Sequence, residues 1–464
     1  MNSTIPGMIP PSIEYCQTCR LQASGQLAPF WKEAPTIGKP KNVQRAQEHA
    51  LLVRQPPALR RTVFHPGNRL LLQCALLLVG GNMQLGLKSR KVIFVHGIFG
   101  WGEGELPLSY WGDALAQFAA PRFEVHEVKC GPVSSFHDRA CELFAQIKGG
   151  DFIYGPVATS AKRSLVPREE RKHVAGPLLP DWSADNPVIL VAHSAGAHTC
   201  LALQRLLKDD HFGVGSNADW VEAVICISGV LNGSTLAYRF GCDPATGVLT
   251  DNPERLIRAT VEIAEFVPTI PFAGIDLWLE QWNDRNAFVS GRDNLAYDLS
   301  LTGCQVANAA FSTNPNSYYL SLVTSMPTER KWLGIPVPRL FGGINVLLAG
   351  SATYQADVVD FERGALPLPN WGTTPDLLID AWRENDGAVS AISQRFPFTH
   401  HNEPFGREGF FDGAPIEKGK WYFERVENVI GRRFDHLDPG FGVRMKWAAA
   451  AAQRQLYQKL AALL

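Results

Sequence analysis

The feature of this sequence with the clearest chemistry is a serine between small residues. Ser194 stands in the string Ala-His-Ser-Ala-Gly at 192–196, which follows an apolar run and precedes a helical pattern. Small residues two positions before and after a serine permit the tight strand-to-helix turn that raises a nucleophilic hydroxyl above a sheet. The first small position is alanine here, where the common pattern has glycine. The alternative is a serine that only caps the N-terminus of a helix.

A nucleophilic serine needs an acid and a histidine, and downstream residues supply both. In hydrolases with this turn, the three follow in chain order as serine, acid and histidine. Asp386 lies in the turn string Glu-Asn-Asp-Gly, and His436 lies further along, before a C-terminal helical pattern. His400 and His401 are rival bases, although their polar loop favours simple surface exposure. We therefore predict Ser194 as nucleophile, Asp386 as acid and His436 as base.

A second string, His-Gly-Ile-Phe-Gly at 96–100, follows an earlier apolar run. A loop at this place supplies one of the two backbone N–H groups that stabilise the oxyanion of a tetrahedral intermediate. We predict that these N–H groups belong to Ile98 and to Ala195, the residue after the nucleophile. Loss of one such donor costs about 3 kcal/mol of transition-state stabilisation. The alternative is an ordinary turn that ends a strand.

These residues need a scaffold, and the apolar runs around them predict one. Runs typical of buried parallel strands occupy residues 92–95, 188–192, 223–227 and 344–349. Helical patterns separate them, such as the apolar spacing from Ala197 to Leu207. The chain closes with an Ala-rich amphipathic pattern that predicts a helix over Arg444–Leu464. Alternating strands and helices predict a mainly parallel α/β sheet with helices on both faces.

Composition and charge exclude several classes of protein. The 464 residues are 45% hydrophobic, which suffices for a large core, and the 12 Trp and 25 Phe exclude a disordered chain. Lys plus Arg number 44 against 45 for Asp plus Glu, so nucleic acid is not expected as a partner. The nine cysteines form no dense framework, and the lone pair of Cys16 and Cys19 does not make a zinc ribbon.

The N-terminal part of the chain carries no recognisable chemistry. Residues 1–85 are predicted to be an extension of unknown role, and residues 86–464 to be the catalytic domain. The apolar run Leu70–Val79 has about half the length of a membrane span, so it predicts a buried helix. Met1–Arg20 lacks the apolar core and basic leader of a signal peptide. We expect a soluble or peripherally membrane-associated protein with no transmembrane segment.

Together these strings resemble those of the large secreted lipases of thermoalkaliphilic bacilli and staphylococci, and of their plant relatives. The resemblance covers roughly residues 91–445 and depends on specific strings besides the one around Ser194. They are His-Gly-Ile-Phe-Gly-Trp-Gly at 96–102, Tyr-Trp-Gly at 110–112, Gly-Pro-Val-Ser-Ser at 131–135, Asp-Arg-Ala-Cys-Glu at 138–142, Glu-Gln-Trp at 280–282, Tyr-Asp-Leu-Ser at 297–300, Ser-Tyr-Tyr-Leu-Ser at 317–321, Glu-Asn-Asp-Gly at 384–387 and Asp-His-Leu at 435–437. The resemblance implies an α/β-hydrolase fold with a helical lid insertion, and the same roles for Ser194, Asp386 and His436.

The resemblance also places a lid at about residues 240–285. Asn252-Pro253-Glu254 is a helix-start signal there, and an apolar stripe runs through residues 251–267. A lid helix must be amphipathic, because its apolar face covers the site when closed and meets lipid when open. An ordinary surface helix packed on the sheet would show the same pattern.

The family's zinc site is only partly represented in this chain. Its two carboxylates fall on Asp138 and on Glu280, a longer side chain than the family's aspartate. The two histidines are absent, because Ala158 and Ser164 stand at the aligned positions. Zinc is not expected at these residues, since a structural zinc site needs four good ligands.

The family's calcium site is also incomplete. Gly303 could offer a backbone carbonyl, and Asp438 offers a carboxylate where the family has glutamate. The Asp-Pro pair expected a few residues later is missing. Calcium is left as an open alternative, and the expected chemistry requires no cofactor.

The most direct interpretation is a triacylglycerol lipase, which cleaves carboxylic esters at an oil–water or membrane interface through an acyl-enzyme. A carboxylesterase or phospholipase would use the same triad on more polar esters, and only the lid candidate distinguishes the two. A non-catalytic lipid-binding protein on this fold would usually have lost one of the three residues, and all three stand in place. The sequence does not predict acyl chain length, headgroup or oligomeric state.

Overall fold

The computed structural model describes thirteen segments of the chain. They are residues 85–103, 109–119, 122–151, 154, 174, 176–249, 291–326, 330–332, 335–337, 344–358, 382–398, 406–440 and 447–464. The predicted helix at Leu70–Val79 and the predicted lid helix at 251–267 lie outside these residues, and so do the rival bases His400 and His401. The proposed boundary between an extension and a catalytic domain at residue 85 also stays a prediction.

Among the described residues, seven parallel strands form the central sheet, in the order β2-β1-β3-β4-β5-β9-β8. Their bounds are β1 Lys91–Val95, β2 Glu124–Glu127, β3 Val188–His193, β4 Val221–Ile227, β5 Tyr318–Val323, β8 Gly406–Glu408 and β9 Trp421–Arg425. A separate antiparallel pair joins β6 Arg330–Trp332 to β7 Ile335–Val337. This parallel sheet with its helical connections is an α/β-hydrolase architecture, as the sequence predicts.

Helices connect the strands. Nine are described: α1 Ala114–Ala119, α2 Phe136–Lys148, α3 Gly196–Lys208, α4 Leu236–Arg239, α5 Leu295–Asp298, α6 Leu301–Ala309, α7 Val346–Val358, α8 Val426–Ile430 and α9 Trp447–Leu463. Two single-turn 3₁₀ helices lie at Ala218–Trp220 and Ala391–Gln394. The long terminal helix predicted from the Ala-rich pattern is confirmed as α9. No helix among the described segments combines the length and the apolar character needed to cross a bilayer.

The central strands are mostly apolar because both faces of the sheet are covered. Every residue of β3 and β4 is buried, as expected when helices pack on both sides of parallel strands. On β1, Val92 and Phe94 join a core that includes Tyr457 of α9. The alternate residues Ile93 and Val95 join a second core, on the other face, with α2 and α3. Because successive side chains of a strand point to opposite faces of the sheet, β1 contributes to both cores.

The prediction of a strand at residues 344–349 is wrong. The segment from Val346 is the first part of α7, and the next sheet strand along the chain after β4 is β5. A short apolar run has the same appearance in a buried strand and in a buried helix, so periodicity does not separate them. The predicted runs at 92–95, 188–192 and 223–227 are confirmed as β1, β3 and β4.

Candidate active site

Ser194 lies at a sharp turn between the end of β3 and the start of α3. Its φ is +57°, a left-handed conformation that costs a non-glycine residue about 1–2 kcal/mol. The turn is held because the Ser194 amide donates to the carbonyl of Ile227 at 3.1 Å, and its carbonyl accepts from Ala197 at 3.1 Å. The Ser194 hydroxyl does not cap α3, because it faces His436. Strain of this kind at a serine is typical of a nucleophile elbow.

Two glycines let the loop after β1 approach this turn. A Cβ at Gly196 would lie 2.3 Å from the carbonyl oxygen of Val95, and one at Gly97 would lie 2.6 Å from Cβ of Ser194. Neither distance is compatible with a side chain. The small residue predicted two positions after the serine is therefore required by close contact with the end of β1, which brings the loop at 96–100 beside the serine.

The structure brings Ser194, His436 and Asp386 together. His436 Nε2 lies 2.9 Å from Ser194 Oγ, and His436 Nδ1 lies 2.9 Å from Asp386 Oδ2. The His436 amide also donates to the carbonyl oxygen of Asp386 at 2.9 Å, which fixes the backbone of one partner against the other. All three residues are buried, and Ser194 is only 3% exposed. This is the hydrogen-bonded order of a serine nucleophile, a base and an orienting acid.

The carboxylate of Asp386 is fully buried and held from both sides. Its Oδ1 accepts from the amides of Ala388 at 3.0 Å and Val389 at 2.8 Å. Its Oδ2, which faces His436, also accepts from the Thr324 hydroxyl at 2.7 Å and the Gln394 side-chain amide at 3.1 Å. These donors leave the carboxylate one orientation, in which Oδ2 holds the imidazole.

Thr324 and Gln394 were not identified from the sequence. Thr324 directly follows β5, and Gln394 lies in a 3₁₀ turn. They also bind each other, since the Thr324 amide donates to Gln394 Oε1 at 2.8 Å. The position after a strand of the sheet is the only signal that could have identified Thr324, and it required the recognition of β5.

The two residues predicted to supply oxyanion amides are Ile98, in the loop beside Ser194, and Ala195, directly after it. Phe99 donates its amide to Pro132, and Gly97 donates its amide to Tyr110. Within the described part of the chain, the amides of Ile98 and Ala195 make no hydrogen bond. Spare N–H groups on either side of the nucleophile suit an incoming oxyanion.

A buried arginine holds the loop that carries Ile98. Arg139, on α2, is fully buried and donates to the carbonyl oxygens of His96 and Gly131, and to the Thr199 hydroxyl at 3.0 Å. His96 accepts the Cys130 amide at Nε2, so its Nδ1 carries the proton that faces the carbonyl of Gly97. Burial, with a smaller contribution from Arg139, lowers the pKa of His96 to about 3. The ring therefore stays neutral and keeps this tautomer at physiological pH.

A chain of three hydrogen bonds connects the same loop to the backbone of His436. His193 Nε2 lies 2.8 Å from the carbonyl oxygen of His436. Because a carbonyl oxygen can only accept a hydrogen bond, Nε2 carries the proton. His193 Nδ1 must then accept from the Tyr110 hydroxyl, 2.6 Å away. The Gly97 amide donates to that hydroxyl at 3.1 Å. Burial, then the charge of His436, lowers the pKa of His193 well below its usual value, which keeps the ring neutral.

We expect Tyr110→Phe to reduce kcat for a soluble ester about 10-fold with little change in KM. The change leaves His193 Nδ1 and the Gly97 amide without their partner, and a lost partner for a buried polar group costs about 1–3 kcal/mol. Steady-state kinetics and a thermal melt measure the two effects. The matched control is Tyr319→Phe, which removes a buried hydroxyl that donates to Gln204. Equal kcat values in the two variants would show that Tyr110 has no positioning role.

Three of the four residues predicted for metal sites lie in the described segments. Asp138 is buried in the first turn of α2, and Glu280 lies outside the described residues. Gly303 lies in α6, where an added Cβ would be 2.0 Å from the carbonyl oxygen of Tyr297. Asp438 Oδ2 accepts the amide of Asp435 at 3.0 Å. The expectations about zinc and calcium at these residues stay predictions.

Comparison with known proteins shows similarity to lipases. Residues 88–214 match the family model described as lipase-like, C-terminal domain. The chain is 25% identical over 378 residues to Lipase 2 of Staphylococcus aureus, which covers 72% of this chain and 49% of that protein. The chain thus spans about half the length of the curated relatives it matches. The predicted resemblance to lipases of the staphylococcal type is confirmed.

Solved structures share the fold. The crystal structure of the Staphylococcus hyicus lipase has a TM-score of 0.57 at 21% identity, over 80% of this chain and 94% of that one. The structure of EstA from Clostridium botulinum has a TM-score of 0.59 at 23% identity, over 86% of this chain and 92% of that one. These similarities confirm the α/β-hydrolase fold.

Proposed function

We propose that this chain, whose relatives are lipases of the staphylococcal type, is a serine hydrolase of carboxylic esters and acts as a triacylglycerol lipase. The observation that carries the proposal is the pair of 2.9 Å hydrogen bonds that connects Ser194 Oγ to His436 and His436 to Asp386. The strained conformation of Ser194 and the spare amides beside it support the same chemistry.

The reaction proceeds in two acyl transfers. His436 Nε2 takes the proton of Ser194 Oγ as that oxygen attacks the ester carbonyl carbon, and Asp386 stabilises the imidazolium through Nδ1. The tetrahedral intermediate collapses, the C–O bond to the alcohol breaks, and the alcohol leaves with the proton from His436. Water then attacks the acyl-enzyme, gives its proton to His436, and the acid leaves as Ser194 recovers its proton.

The developing oxyanion is bound by the backbone. In this proposal the N–H groups of Ile98 and Ala195 donate to it, and they cost no reorganisation because their loops are already held. Arg139 holds the first loop through the carbonyl of His96. The start of α3 holds the second, since the Thr199 amide donates to the carbonyl of Ala195 at 3.2 Å.

The surroundings of the nucleophile favour an apolar acyl group. Ala195 belongs to a buried apolar cluster with Val230, Leu295 and Val389, and Ile98 packs against it. Transfer of a hydrocarbon chain from water into an apolar site gains about 0.8 kcal/mol per CH₂ group. A long-chain acylglycerol uses this gain more fully than a short, polar ester. The low exposure of Ser194 also supports an enzyme whose site opens before a large substrate enters.

The test compares an emulsified long-chain triacylglycerol with a soluble short-chain ester. We expect the rate to rise sharply once the acylglycerol exceeds its solubility, since an interface offers the lid candidate at 251–267 an apolar surface. The Ser194→Ala variant provides the background rate. Activity confined to the soluble ester would favour a carboxylesterase. No turnover, together with no labelling of Ser194 by a fluorophosphonate, would leave a non-catalytic lipid-binding protein.

A further inference from the structure

Two histidines and a cysteine converge on the side of α2 that packs near the end of α3. His137 and Cys141 lie four residues apart on α2, so they occupy one face of the helix. His211 follows α3, where its amide donates to the carbonyl of Leu206 at 2.9 Å. The rings of His137 and His211 lie 5.4 Å apart at 89°. We refer to His137, Cys141 and His211 as the HCH cluster.

The potential ligand atoms of the HCH cluster are close enough for one ion. One atom from each residue lies within 4.8 Å of the other two, and Cys141 Sγ is 3.7 Å from His137 Nε2. Around a tetrahedral zinc ion with Zn–N near 2.0 Å and Zn–S near 2.3 Å, neighbouring ligand atoms are about 3.3–3.7 Å apart. The sulfur–nitrogen pair already has this spacing, and the His211 nitrogen lies within 4.8 Å of both.

We propose that the HCH cluster binds a thiophilic divalent metal ion, with Zn²⁺ as the ligand that fits best. One thiolate and two imidazoles form a donor set that zinc and its chemical analogues prefer over calcium or magnesium, which take oxygen. The cluster holds no carboxylate and shares no residue with the site expected from the family at Asp138 and Glu280. The proposal does not depend on the proposed ester hydrolysis.

Two of the three side chains in the HCH cluster line a cavity. His137 and His211 both line a cavity of about 1080 Å³ between α2, α3 and the loop before β5. Water can reach an ion held there from the cavity side, whereas Cys141 is fully buried behind it. Three protein ligands and one open position form a complete tetrahedral site.

Metal binding through His137 Nε2 must displace its hydrogen bond to Tyr154. His137 Nε2 lies 2.7 Å from the carbonyl oxygen of Tyr154, so in the structure this nitrogen carries the proton. Ligation moves that proton to Nδ1 and releases the thiol proton of Cys141, so binding weakens as the pH falls.

The experiment titrates metal-free full-length protein with Co²⁺, whose thiolate ligands produce a charge-transfer absorption band. Cys16 and Cys19 could bind the same ion, so every protein carries Cys16→Ser and Cys19→Ser. In this background we expect one equivalent of Co²⁺ to give the band, and Zn²⁺ to displace it and to raise the melting temperature.

Variants assign the site to its residues. Cys141→Ser is expected to abolish the charge-transfer band, and His137→Gln and His211→Gln to weaken Co²⁺ binding by more than about 100-fold, since even a lost outer-shell partner costs 10–100-fold. Cys242→Ser is the control, because it removes a buried thiol that donates to Ala296 and should change nothing. His211 is half-buried, so its variant should fold if Cys141→Ser does not.

Two results would overturn the proposal. One is the absence of a cobalt charge-transfer band in the background protein. The other is metal binding that persists equally in the Cys141→Ser, His137→Gln and His211→Gln variants. Because absorbance and melting are measured without substrate, neither result depends on whether the chain hydrolyses esters.

Discussion

Replacement of Ser194 by alanine should lower kcat for ester hydrolysis on the order of 10⁴–10⁶-fold, the range seen when a serine nucleophile is removed. The variant loses the oxygen that attacks the carbonyl, and no neighbouring hydroxyl bonds His436 Nε2 in the described segments. The Cβ remains, so the contact with Gly97 is unchanged and the fold should persist. Initial rates with a soluble ester and a thermal melt measure both expectations.

The control for this variant is Ser216→Ala. Ser216 is also buried, and its hydroxyl donates to the carbonyl of Leu207, away from His436. It should retain its rate and its reactivity towards a fluorophosphonate, whereas Ser194→Ala should lose both. A Ser194→Ala protein that still forms a covalent adduct and still turns over would place the nucleophile elsewhere.

Asp386→Asn should lower kcat by about 10⁴-fold with the protein still folded. The amides of Ala388 and Val389 both donate to Oδ1, so the carbonyl oxygen of an asparagine must stay there. Its NH₂ group then takes the place of Oδ2, where it meets the NH₂ group of Gln394 and His436 Nδ1. The imidazole must turn to the tautomer with its proton on Nε2, which cannot accept the proton of Ser194.

The readouts for this variant are kcat, KM and the labelling rate by a fluorophosphonate. KM should change little, because the ester does not touch Asp386, while labelling should slow in parallel with kcat. Asp210→Asn is a suitable control, since Asp210 Oδ1 also accepts two backbone amides, those of Val214 and Ser216. A loss of less than about 100-fold in Asp386→Asn would argue that another group orients His436.

The position of each candidate catalytic residue could be predicted because its signal is local. Ser194 lies in a five-residue string whose glycine is explained by contact with Val95. Asp386 and His436 are separated from it by long stretches, but the chain order of such triads restricts the choice. Their meeting within 2.9 Å agrees with that order. The catalytic roles themselves stay a prediction until the variants are measured.

The groups that support the site could not be predicted, because they act across the fold. Tyr110 bonds His193, which is 83 residues away, and His193 bonds the backbone of His436, which is 243 residues away. Arg139 belongs to one of the strings shared with the lipase family, but no pattern in the sequence indicates its contacts with His96 and Thr199. Only the packing of α2 against the sheet brings these groups within reach.

The strand was predicted in the wrong place for the same reason, because pairing across the fold is not visible in the sequence. Residues 344–349 and the true strand β5 are both short apolar runs, and β5 is recognised only by its pairing with β4 and β9. Because β5 was not predicted, Thr324 could not be recognised as a residue at the end of a sheet strand. One error in the order of strands therefore concealed one of the donors to Asp386.

Ser194 and His436 are 242 residues apart in the chain. We therefore expect ester hydrolysis to return late when the denatured protein refolds. The six pairings between described strands of the central sheet are all parallel. None of them can begin as a local hairpin, because each needs a crossover connection before its strands meet. Sheets of this topology fold slowly, because loop closure must precede pairing. After dilution from denaturant, helical circular dichroism should therefore return first, and ester hydrolysis only when the segment after β9 has docked.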